Sequence, residues 1–213
     1  MHRSFFANKD TFINSGSNLI DGTTFQDKNT GKDEVLELKK VFFDRKFNSH
    51  TRLLIQFNTD EINNYITASN IPSTYKTYLR LWETEGISGL SEEYKIAAYP
   101  VSESWEEGVG KEADDPKTTD GCSWLYRKNR DGATEISWTD DGGTYVAGDE
   151  VTQSFSLSSP DIEMDITSIS KKWFSGENNN YGLLLRLSGS RETSTGSFED
   201  LKFFSRQTNT IYS

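Results

Sequence analysis

The chain has 213 residues, a length that a single β-sandwich domain reaches, and 13% of them are aromatic, enough to build a core despite a hydrophobic content of only 33%. Its formal net charge of -10 repels phosphate backbones and argues against nucleic acid as a partner. Cys122 is the only cysteine, and His2 and His50 are the only histidines, so an intrachain disulfide and a structural zinc site are both excluded. No stretch approaches transmembrane length, and the opening Met1-His2-Arg3-Ser4-Phe5-Phe6 lacks the apolar run of a signal peptide, so neither membrane nor export is expected.

Taken in order, residues 1–9 read as an N-terminal arm. Strands are then expected at 35–38, at the apolar run 52–57 and at 78–82, where Leu79 and Leu81 alternate with Tyr78, Arg80 and Trp82. Further strands are expected at 94–101, 136–138, 151–157, 182–187 and 202–205. A helical turn is expected at 61–65. Between the runs lie turn signals: Asp21-Gly22, Asp131-Gly132, Asp141-Gly142-Gly143 and Ser175-Gly176. The charged, breaker-rich stretch 108–121 reads as an exposed loop rather than a domain boundary. One segment changes period: Ile166, Ile169 and Trp173 fall on one helical face, with Asp165 or Thr167 to cap the start and Gly176 to end it. The pattern predicts one all-β sandwich domain over 1–213 with a short helix packed across it.

Chemistry-bearing patterns are sparse. No Gly-x-Ser-x-Gly elbow occurs, and the histidines are too few for a nucleophile machine; no catalytic residues are expected, and Cys122 reads as a small buried filler. Paired carboxylates among Glu83, Glu85, Glu106 and Glu107 have no readable separation. The stretch Gly108-Val109-Gly110 runs into Asp115-Pro116 rather than a helix, which rejects a dinucleotide fingerprint. Asp114, Asp115 and Asp120 share a loop, and Asp140 and Asp141 precede a double glycine. Clustered oxygens suit calcium, but the EF-hand spacing is absent, so no cofactor is expected and calcium is the one cation left open. Of the tryptophans, Trp82, Trp105, Trp124 and Trp173 read mainly as core, whereas Trp138, beside Asp140, Asp141 and Tyr145, looks most loop-like. Those four residues form the candidate glycan-binding set.

Several segments together resemble one family. Asp10-Thr11-Phe12-Ile13 looks like an opening strand, and Leu53-Leu54-Ile55-Gln56-Phe57 like a strand that normally ends in Asp, where this chain has Asn58. Tyr78-Leu79-Arg80-Leu81-Trp82 follows, and then Val101-Ser102-Glu103-Ser104-Trp105-Glu106-Glu107-Gly108. Met164-Asp165-Ile166-Thr167 leads to Trp173, Gly176 and Asn180-Tyr181-Gly182-Leu183-Leu184-Leu185, and Phe203-Phe204-Ser205-Arg206-Gln207 closes the series. In this order they resemble the DNRLRE-type modules, a carbohydrate-binding-module type related to the disaggregatase domain. That resemblance implies a jelly-roll β-sandwich in which Trp173 and Arg206 are structural anchors. It also implies a final strand beyond 213, absent from this sequence or supplied by a neighbour. The stretch 187–198, with Lys202-Phe203-Phe204, is similar to virion proteins of tailed bacteriophages. The resemblance therefore implies a non-enzymatic structural component of the virion (neck, tail or capsid surface), assembled in the host cytoplasm. Its partners would be other virion proteins, in a homo-oligomer. The alternative it implies is a carbohydrate-binding module adhering to glycan.

Overall fold

A computed structural model describes residues 2–18, 20–43, 46–84, 94–130, 133–155, 161–195 and 200–209. In chain order the strands are β1 (Ala7–Asn14), β2 (Val35–Phe43), β3 (Lys46–Phe57), β4 (Tyr78–Leu81), β5 (Tyr94–Pro100), β6 (Tyr126–Asn129), β7 (Glu135–Ser137), β8 (Val151–Phe155), β9 (Ile162–Asp165), β10 (Leu183–Leu187) and β11 (Asp200–Phe204). Helix α1 (Thr59–Ala68) follows β3, and α2 (Thr167–Ser175) follows β9.

All pairings between these strands are antiparallel. β1, β3, β10, β5 and β8 form one layer, with β3 between β1 and β10. β11 pairs with β2, and β4 with β9. A bridge from Glu83 to Phe203, with bonds from Thr84 N to Lys202 O and from Phe204 N to Trp82 O, joins these pairs into the opposing layer. β3 is the corner: its first residues pair with β2 and its later ones with β1 and β10. The fold is an all-β sandwich with short helices against it.

The run 52–57 is apolar without alternation because both faces of β3 are covered. Leu53 and Ile55 face the space between the layers, meeting Leu36, Leu38 and Phe203. Leu54 faces outward with Ile13 and Leu184, into a second core closed by Trp105, Cys122, Trp124 and Trp138. The segment 101–145 is thus a cap laid on the outer face of the first sheet. The stretch 108–121 is a loop, as expected, with Val109, Lys111, Ala113, Asp115 and Pro116 exposed, but its ends are anchored. Gly110 and Gly121 are buried, and backbone bonds tie Asn29 N to Thr118 O, Lys32 N to Gly110 O and Cys122 N to Glu106 O.

Other differences are local. β1 begins at Ala7, inside the stretch read as an arm, because backbone pairing with β3 reaches Phe57 whatever the polarity of Asn8 and Lys9. The helical turn at 61–65 is part of the longer α1, started by Asn58, whose Oδ1 accepts from Asp60 N at 3.0 Å and Glu61 N at 3.3 Å. A cap needs a short side-chain acceptor, which accounts for Asn58 at the end of its strand. β6 and β9 were not expected, and Asp165 is the last residue of β9; its Oδ1 accepts from Thr167 N at 3.0 Å at the start of α2. α2 buries Ile169, Ser170 and Trp173 and ends at Gly176, whose φ of 77° is the left-handed cap. Glu85, the Asp131-Gly132 turn, 156–157, 196–198 and 211–213 lie outside the described residues.

Candidate functional site

The candidate glycan set does not present a platform. Trp138 is 4% exposed, and its Nε1 donates to Ser123 O at 2.9 Å. Trp138 does stand in a loop, just after β7, but an indole that fills a core and has used its N–H offers no face for stacking. Tyr145 lies against Tyr99 with centroids 4.5 Å apart, and its Oη accepts from Arg186 at 2.9 Å. Asp140 and Asp141 remain exposed in the turn above. The structure brings the four residues to one loop but separates buried ring from exposed carboxylates. Trp105 is also spent internally, donating to Tyr181 O at 2.7 Å.

Two clusters of charge are held internally instead, the first part-buried and the second buried. In the first, Glu107 receives both arms of Arg206, each at 2.7 Å, together with Lys32 Nζ at 3.2 Å and Asp10 N at 3.0 Å. Burial pushes the Glu107 carboxyl up, but the bonds from Arg206 and Asp10 N outweigh it and hold the carboxyl below its ordinary range. Asp10 beside it is raised to about 6: burial dominates the bond that its Oδ2 accepts from Arg206 N at 2.7 Å. This cluster ties β1 and the cap to the residues after β11.

In the second cluster, Arg52 donates to both oxygens of Glu192, at 2.8 and 3.1 Å, and to Gly142 O at 2.8 Å. Its guanidinium lies 4.7 Å from the Trp124 ring centroid, and Arg186 pairs with the same Glu192. His50 stands between Glu192, 3.4 Å from its Nε2, and Ser15, whose Oγ is 3.2 Å from its Nδ1. A serine, an imidazole and a carboxylate in a row suggest an activated nucleophile, but the electrostatics oppose it. Burial lowers the His50 pKa to about 4, leaving a weak base, and the Glu192 charge is already held by two arginines. The contact follows from strand pairing: Ser15 N donates to His50 O at 3.0 Å, and His50 N donates to Ser15 Oγ at 2.9 Å.

Sequence reasoning missed Arg52, Glu192 and Asn29. A signal existed for Arg52, since an arginine heading a buried strand requires a partner. None existed for Asn29, one polar residue in a turn-rich stretch. Among the described residues, no group of three or more His, Cys, Asp or Glu is placed to hold a metal ion. Asp114 instead closes its own loop, accepting from Lys111 N at 2.8 Å and Thr118 Oγ1 at 2.6 Å.

No family model matches the chain, and no curated protein matches it.

Proposed function

We propose that this chain is a non-enzymatic structural module that acts through protein–protein contacts, in the particle of a tailed bacteriophage. The observation that carries the non-enzymatic part is the internal closure of both charge clusters. Glu107 and Glu192 each take two or more cationic or backbone donors from distant parts of the chain. Groups so committed hold a shape rather than turn over a substrate. The virion assignment rests on the similarity of 187–198 and 202–204 to virion proteins. Mass spectrometry of purified particles from cells producing this chain should recover it at a fixed ratio to the other particle proteins. Its absence from the particles would overturn the assignment. Glycan adhesion receives less support, because the indole nominated for it lies in a core; saturable binding on a glycan array would reverse that order.

A further inference from the structure

At one end of the sandwich, beside α1, lies a largely apolar cavity of about 490 Å³. Phe57 at the end of β3, Ile62 and Ile66 of α1, Ile71, and Phe174 of α2 line it. α1 buries none of its residues, so Ile62 and Ile66, one turn apart, form an apolar stripe that the chain itself leaves half-covered. The cavity opens to solvent among exposed lining residues: Phe6 is 63% exposed, Tyr78 is 44% exposed, and Arg3 is exposed beside them. Three other basic residues of the lining are engaged, Lys76 with Asp165, Arg80 with Glu163 and Arg206 with Glu107. Arg3 lies over the Phe5 and Tyr65 rings, at 5.8 and 5.7 Å from their centroids, and has no carboxylate partner among the described residues. The cavity is thus an apolar socket with an unpaired cation at its edge.

The far end of β1 carries the complement. Beyond Asn14 the chain turns back through a bridge between Ser17 and Thr24, and Ile20 in that turn is 96% exposed, the most exposed large hydrophobic side chain among the described residues. The turn is held in one shape. Asn18 Oδ1 accepts from Ile20 N at 2.8 Å, Asp21 Oδ1 accepts from Thr23 N at 2.8 Å, and Asn18 N donates to Thr23 O at 2.8 Å. Gly22, at φ 75°, closes it, its N–H donating to Asn18 O at 3.0 Å. A knob already ordered in this way gives up little freedom when it docks. Asp21, next to Ile20, is exposed and has no cationic partner among the described residues. β1 runs from Ala7, which lines the cavity, to Asn14, and its length of about 25 Å keeps Ile20 away from the cavity of its own chain.

We propose that the turn carrying Ile20 and Asp21 docks in this cavity of a second copy of the chain, with Ile20 seated against Ile62 and Ile66 and Asp21 paired with Arg3. Knob and socket lie at opposite ends of β1, so the contact repeats head to tail into a ring or a filament and does not close as a twofold dimer. It gives the structural role proposed above a partner, but it is tested on the purified chain, so its failure would leave the particle assignment to the mass spectrometry. The test is run at about 0.15 M salt, where repulsion between chains of net charge -10 is screened beyond about 8 Å while a direct ion pair persists. Sedimentation velocity of the full chain up to about 0.5 mM, a range suited to contacts of small area, should show species larger than a dimer that grow with concentration. Ile20→Glu should weaken association about tenfold or more, and Ile66→Arg should do the same from the socket side. Each of these variants keeps the half that the other has lost. Their mixture should therefore form a heterodimer that grows no further. Arg3→Asp should weaken association about two- to fivefold, and adding Asp21→Arg to it should restore the original affinity. Circular dichroism checks the fold of each variant; Ile20→Glu, at an exposed turn, decides the matter if Ile66→Arg fails to fold. A chain still monomeric at the highest concentration, growth that stops at a dimer, association unchanged in Ile20→Glu, or no heterodimer from the two folded variants would overturn the proposal.

Discussion

Asn29 is fully buried, and all its side-chain hydrogen-bonding capacity is in use. Its Nδ2 donates to Glu107 O and Cys122 O, each at 2.8 Å, and its Oδ1 accepts from Gly110 N at 2.8 Å and Gly31 N at 3.1 Å. One side chain thus clips the turn before β2 to both ends of the loop that opens the cap. Asn29→Ala would leave those four backbone groups buried and unpaired, at a cost of about 3 kcal/mol or more. Urea denaturation checks this; a loss under about 1 kcal/mol would mean that water or a shifted backbone replaces the clip. Glu192 is the charged counterpart. Glu192→Gln leaves Arg52 and Arg186 facing each other without their shared anion, and a loss of roughly 3–5 kcal/mol is expected in the same measurement.

At the scale of elements, the cap and the first sheet stabilise each other. Leu54, Ile13 and Leu184 point away from the inner core and are covered by residues of 101–145, among them Trp105, Cys122, Trp124 and Trp138. Within the cap, Gly121, at φ 122°, packs directly against Gly108: a Cβ on Gly121 would lie 2.4 Å from the Gly108 Cα. Gly121→Ala therefore combines backbone strain with a clash that no side chain can relieve, and a loss above about 2 kcal/mol is expected. Limited proteolysis gives the decisive readout, because cleavage within 111–118 should accelerate while the strands around Leu53 and Leu185 stay protected. The strands of the inner core were legible because Leu36, Leu38, Leu79 and Leu81 alternate with polar residues. α2 was legible because Ile166, Ile169 and Trp173 share one helical face. The cap was not legible, since its order comes from backbone bonds and from Asn29, which leave no periodicity. The burial of Trp138 was not legible for the same reason: its neighbours Asp140 and Asp141 are exposed, so the string looks like a surface turn.

For the whole molecule, the buried ionisable groups set how stability varies with pH. His50 is lowered from 6.5 to about 4 by burial, against the pull of Glu192, with Arg52 and Arg186 adding to the fall. Its contribution is fully present above 6.5 and lost as pH falls toward 4. Asp10 and Asp33 run the other way. Burial raises both from 3.8 to about 6; at Asp10 the bond from Arg206 N opposes the rise and Glu107 adds to it, and at Asp33 Glu112 N opposes it. Their contribution is fully present below 3.8 and lost as pH rises through about 6. Burial also raises Glu83 and Glu112, with the same sign. The lowered Glu107 acts only under its ordinary 4.5, where stability falls as it is protonated. Between pH 5 and 7, several raised carboxyls therefore oppose one lowered imidazole, and the protein should be more stable at pH 5. Relief of self-repulsion in a chain of net charge -10 has the same direction. Urea midpoints at constant ionic strength should show this. Asp10→Asn should shrink the difference between the two pH values by roughly 1 kcal/mol, Asp33→Asn should shrink it further, and His50→Gln should widen it. A difference untouched by the Asp10→Asn and Asp33→Asn double variant would place its origin in the overall charge rather than in these buried carboxyls.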